Sequence, residues 1–162
     1  MEFADPAALG RDTHMSQNRI DVAAPPAAVF AVLDDADAYP RWVVGARRLR
    51  RVDPDWPHEG SEFHHAIGLP GAELHDSTEV LEHTAPRRIV LEVRFRPTGT
   101  ARVEISVDPV EGGSVVTMEE QPRTGPVSWL PRFVTDPALH LRNAWSLQRL
   151  RHEVEQRAPR DP

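Results

Sequence analysis

The sequence predicts an α+β domain in which a curved antiparallel sheet carries one long helix across its mouth. Three features of the chain lead there. A short helical hairpin opens the chain, an unbroken run of alternating strands follows, and a single long amphipathic helix closes it. The connections between Gly45 and Gln121 are short and contain no helix. Parallel neighbours would need long crossovers, so the strands must be antiparallel. Alternation along those strands then makes one face apolar and the other charged. A helix laid over the apolar face leaves space between the layers, which suits the holding of a small apolar molecule.

The first element is a strand at Asn18–Ala23, with Ile20 and Val22 on one side. Pro25 and Pro26 end it, and Pro26 fits the first turn of a helix through AAVFAVLDD. Val29, Phe30 and Leu33 give that helix an apolar side. A second helical turn is expected over Asp37–Trp42, interrupted by Pro40. Strands follow at Gly45–Val52, Ser61–Ile67, Glu73–His83, Arg88–Arg96, Thr100–Asp108 and Ser114–Gln121, separated by Pro- and Gly-bearing turns. Ile89, Leu91, Val93 and Phe95 share a face, as do Ala101, Val103, Ile105 and Val107. The residues between them, including Glu92, Arg94, Arg102 and Glu104, are charged.

The closing helix is expected to start with Asp136 as N-cap and Pro137 as its first helical residue. About 20 residues at ~1.5 Å each give a rod of roughly 30 Å, enough to cross a sheet. Leu139, Leu147, Leu150 and Val154 form one stripe, with Asn143 in its middle. Leu141 and Trp145 lie on the opposite side. Either they receive the preceding loop or they form a homodimer contact. That loop, PRTGPVSWLPRFVTDP, is unusually apolar through Trp129, Leu130 and Phe133. It is read either as a lid over the cavity or as a loop pinned by its own side chains. Residues 1–15 lack periodicity and are set aside as a disordered or non-native extension. Residues 16–158 form the single expected domain, and 159–162 a tail.

Composition removes whole classes of chemistry. At 162 residues the chain is long enough for one sizeable core. No cysteine is present, which excludes thiol nucleophiles, thiolate metal sites and disulfides. All 19 basic residues are arginine, so Schiff-base catalysis and a P-loop lysine are excluded as well. The net charge of −6 disfavours nucleic acid as a partner. The cluster Arg47, Arg48, Arg50 and Arg51 is read as a solvated strand edge, with an arginine greeting an acidic ligand group as the alternative. No segment approaches the roughly 20-residue apolar run of a membrane helix. No signal peptide is visible, which makes a cytoplasmic location the default.

Polar residues in phase with the core mark the candidate site. His65 shares its face with Phe63 and Ile67; Asp76 and Thr78 share theirs with Leu74 and Val80; Glu120 follows Val116 and Met118. With Asn143 these form a polar set of His65, Asp76, Thr78, Glu120 and Asn143. Buried ionisable groups cost free energy unless paired. A ligand cavity with a few convergent polar groups accounts for several on one dry face. The alternatives are that they bond one another or that the strand ends are wet. His65 beside a carboxylate, Asp76 or Glu120, also offers a general acid–base pair. The apolar lining expected around them is Phe63, Leu91, Phe95, Val103 and Met118 from the sheet, and Leu139, Leu147 and Leu150 from the helix. Metal binding fails a distance test. His75, Glu79 and His83 have helical spacing but fall on a strand, where His75 and His83 stand about 27 Å apart at ~3.4 Å per residue.

The segments IDVAAPPAAVFAVLDDADAYPRW, WPHEGSEFHHAIG, DSTEVLEHTAPRRIVLEV, VVTMEEQP and LRNAWSLQRL together resemble the START/SRPBCC superfamily of helix-grip proteins, in its polyketide cyclase/dehydrase-like branch. The resemblance spans about Ser16 to Arg157. It implies a seven-stranded curved antiparallel sheet gripping the C-terminal helix, with two short N-terminal helices and a deep apolar cavity. Relatives bind or transport lipids, cyclise aromatic polyketides or act as chaperone-type modules, and they share no universal catalytic motif. Trp42, His65, Asp76, Glu120 and Asn143 match positions associated with the cavity in this branch.

The leading expectation is therefore binding of a small hydrophobic or aromatic ligand, lipid-like or polyketide-like, without cofactor, metal or membrane insertion. The second is a cyclase or dehydratase using His65 with Glu120 or Asp76 and no covalent intermediate. The third is a protein-interaction module using Trp129, Phe133 and Trp145.

Overall fold

The computed structural model describes residues 16–69, 72–95, 99–125 and 132–158. The N-terminal extension, the tail, and Trp129 and Leu130 of the apolar loop lie outside the described residues. The elements are β1 (Ser16–Val22), α1 (Pro26–Leu33), a single 3-10 turn at Ala36–Ala38, α2 (Tyr39–Trp42), β2 (Ala46–Val52), β3 (Glu62–Leu69), β4 (Ala72–Thr84), β5 (Arg88–Phe95), β6 (Gly99–Val110), β7 (Gly113–Thr124) and α3 (Arg132–Arg157). All strands join one seven-stranded antiparallel sheet in the order β1-β7-β6-β5-β4-β3-β2. β2 to β7 form a meander, while β1 pairs with β7 and sets Ile20 opposite Val116. Consecutive strands β1 and β2 therefore sit at opposite edges of the sheet. The chain crosses between them through α1 and α2, and α3 packs against both helices and against β1.

Local chemistry explains most boundaries. Pro25 and Pro26 open α1 with no side-chain cap; Pro26 at the first helical position lacks only an N–H that would be unpaired anyway. The β2 edge is guarded by charge: Arg48 pairs with Glu73 at 3.1 Å, Arg47 with Glu73 at 3.8 Å and Arg51 with Asp53 at 3.4 Å. Charged side chains along an edge discourage pairing with another chain. Two positions require glycine. A Cβ on Gly99, whose φ is +129°, would lie 1.8 Å from the Thr124 carbonyl oxygen, and one on Gly113 would lie 2.1 Å from that of Val22.

Three expectations differ from the structure in detail. α3 begins at Arg132, and Pro137 lies inside it. Past the first turn a proline removes one backbone donor and crowds the carbonyl four residues earlier, at a cost of about 3 kcal/mol, and the helix continues through it all the same. Leu74, in phase with the core, is 48% exposed. It sits opposite Ile67 near the tip of the β3–β4 hairpin, where nothing covers it among the described residues. Irregularities between Ala46 and Arg48 and between Leu49 and Arg51 break the alternation of β2.

The interior has two halves. Toward the C-terminal end of α3, Leu147, Leu150 and Val154 are shut off from solvent together with Phe63, Ile89, Ile105 and Val107. Trp56 closes this half by packing edge-on against Phe63 and donating its indole N–H to the Asp34 carbonyl at 2.9 Å. Around Arg142, Asn143 and Ser146 of α3 a cavity remains between helix and sheet.

Candidate functional site

The cavity measures about 270 Å³. Its floor is the apolar face of β5, β6 and β7, carrying Leu91, Val93, Phe95, Val103 and Met118. The α2–β2 segment, Trp42 through Ala46, forms a wall, and Asn143, Arg142 and Ser146 of α3 form the roof. This segment is tied to the roof because Val44 N–H donates to Ser146 Oγ at 3.1 Å, while that hydroxyl donates to the Arg142 carbonyl at 3.0 Å. The walls are thus mostly carbon, with polar atoms confined to two places.

The first polar place is His65 on β3. Its ring stacks at a tilt against Tyr39 (5.1 Å between centroids) and Phe63 (5.5 Å). The residue is 1% exposed, and its Nδ1 is buried with no hydrogen-bond partner. Burial first, and the neighbouring His64 second, lower its pKa to about 4, so the ring is neutral at pH 7. Asp76 is its cross-strand partner in register. Neither Asp76 nor Glu120 is among the charges that move the His65 pKa. Burial also holds the Tyr39 phenol above its ordinary value. Thr78 lies beside that phenol, yet Thr78 Oγ1 has no partner in hydrogen-bonding geometry.

The second polar place joins β7 to α3. Glu120, 1% exposed, accepts from Arg142 Nη2 at 2.6 Å and from Asn143 Nδ2 at 2.8 Å, both on Oε2. Arg142 closes the triangle by donating to Asn143 Oδ1 from Nη2 at 3.1 Å and from Nε at 3.3 Å. Its guanidinium lies 5.8 Å above the Phe95 ring. On the far side of this cluster is a second cavity of about 220 Å³, which shares Phe95, Glu120 and Arg142 with the first and reaches Leu139.

The expected site residues therefore separate. Trp42, His65, Leu91, Phe95, Val103, Met118, Glu120 and Asn143 line the first cavity. Leu139 lines the second. Phe63 and Leu147 belong to the solid core, and Asp76 and Thr78 are buried off the lining. Arg142, Tyr39 and Ser146 line the cavity without having been singled out in the sequence. A signal for Arg142 existed: a buried Glu120 demands a cation, and Arg142 adjoins the in-phase Asn143.

A long C-terminal helix on a seven-stranded antiparallel sheet, with a cavity between, defines the START/SRPBCC helix-grip class. Within it the chain belongs to the family described as polyketide cyclase / dehydrase and lipid transport, which matches residues 13–155. A START superfamily protein from Mycobacterium smegmatis superposes with a TM-score of 0.72 at 15% identity, over 90% of this chain and 99% of that one. A protein from Rhodobacter sphaeroides gives 0.72 at 20% identity, over 91% and 95%. Ara h 8.0201 gives 0.70 at 14% identity, over 88% and 98%. At these identities the likeness is one of fold. No curated protein matches the sequence. Among the described residues no helix is long and apolar enough to cross a membrane.

Proposed function

We propose that this protein binds a small hydrophobic or aromatic molecule in the cavity between sheet and α3. The observation that carries this is a cavity of about 270 Å³ walled mostly by carbon, with a neutral, buried His65 in its lining and the polar groups of Arg142, Asn143 and Ser146 at its roof. The volume lies just under the roughly 300–1,000 Å³ usual for ligand sites. That favours a compact molecule of one or two rings over a long lipid.

Binding is favoured over acid–base turnover because a His–carboxylate pair would pull the His65 pKa upward. Here it is lowered, and the carboxylate nearest the cavity, Glu120, is occupied by Arg142 and Asn143. The test is native mass spectrometry of protein purified from its own host, with extraction and identification of bound compounds. A stoichiometric apolar compound supports the proposal. An empty protein that also fails to take up aromatic probes in solution rejects it.

A further inference from the structure

We propose that the cavity selects uncharged molecules over carboxylates, and that Glu120 sets this selection by neutralising Arg142. This rests on the cavity being a binding site and adds the charge class of what it takes. Arg142 is the cation of the lining, and an apolar pocket with an arginine in its roof would ordinarily be a carboxylate receptor. In this chain that role is already filled from inside. The Glu120 carboxylate sits under the guanidinium at 2.6 Å, 2% exposed at its side chain, and Asn143 Oδ1 takes two further donors.

A ligand carboxylate entering here must shed its water among carbon walls. It then meets a cation whose charge is already compensated, with a second carboxylate just behind. An alcohol, phenol or ketone carries no such penalty. It finds the remaining guanidinium N–H groups at the roof of the cavity. The same logic makes the two charges separable. Removing Glu120 leaves a lone cation and converts the site toward anions; removing Arg142 leaves a lone carboxylate and converts it toward cations.

The test uses three probes of matched size at pH 7: 2-naphthol (uncharged), 2-naphthoate (anionic) and 2-naphthylmethylammonium (cationic), titrated calorimetrically into the full chain. The native protein should bind the naphthol at least tenfold more tightly than either ion. Glu120→Gln should raise naphthoate affinity relative to naphthol by tenfold or more. Arg142→Met should do the same for the ammonium probe, so the test stands if one variant fails to fold. A native protein that binds naphthoate as well as naphthol overturns the charge selection and leaves cavity binding standing. So do folded variants whose preferences match the native protein's. A native protein that binds none of the three removes both proposals.

Discussion

Lowering the pH from 7 to 5 should destabilise this protein through His65, by an amount the structure lets one work out. His65 is 1% exposed, with its pKa lowered from 6.5 to about 4. The unfolded chain therefore binds a proton at this site through the window between those values, while the folded chain does not. Where the unfolded state binds more protons, stability rises with pH, so it falls as pH drops through the window. From 6.5 down to 5 is about 1.5 pH units at ~1.36 kcal/mol each, or roughly 2 kcal/mol. For a chain of this length that corresponds to a fall in Tm of about 4–8 °C. Other groups also contribute to the pH dependence of stability, so the quantity to measure is a difference. Urea unfolding of the native protein and of His65→Leu at pH 7 and pH 5 isolates it. The native protein should lose about 2 kcal/mol more than the variant. At pH 7 the substitution should cost under about 1 kcal/mol, because the neutral ring it removes leaves Nδ1 unbonded. Equal losses in the two proteins, or a cost of several kcal/mol at pH 7, would refute this account of His65.

Glu120→Ala should cost about 3 kcal/mol by urea unfolding, the lower end for a broken buried pair, because Arg142 is 31% exposed and regains some water. Val103→Trp, built opposite both Leu91 and Glu120, should fill the cavity. It should lower 2-naphthol affinity at least tenfold while circular dichroism shows a folded sheet. Gly99→Ala should cost at least 2–3 kcal/mol, roughly, since its Cβ collides with Thr124 backbone at a positive φ; Gly60→Ala, with φ +83° and open space around it, should cost only about 1–2 kcal/mol. Paired thermal melts separate the two.

The fold was legible because its signals are periodic. The alternation of Ile89 to Phe95 and of Ala101 to Val107 set the strands, and the short turns required antiparallel pairing. The stripe of Leu147, Leu150 and Val154 set the face of α3. Parity also found the buried polar residues: His65, Asp76, Thr78, Glu120 and Asn143 are all at or below 4% exposure. What parity could not supply is position along the rod. Phe63 and His65 are in phase, yet one fills the solid half and the other lines the cavity, because that division depends on which α3 residues stand opposite. Asp76 shares the phase of Glu120's face as well, yet Glu120 lines the cavity and Asp76 is buried off its lining. Arg142 was missed because an arginine one residue off a stripe reads as solvated, and only the buried carboxylate beneath it reverses that. The start of α3 was misplaced because the Asp-Pro signal describes a good beginning without requiring one.

An amide NMR titration with 2-naphthol tests the central claim most directly. The account predicts saturable shifts concentrated at Tyr39, Val44, His65, Leu91, Met118 and Asn143, with Leu150 and Val154 in the solid half little changed. No saturable shifts, or shifts gathered on the exposed side of α3 around Leu141 and Trp145, would contradict it.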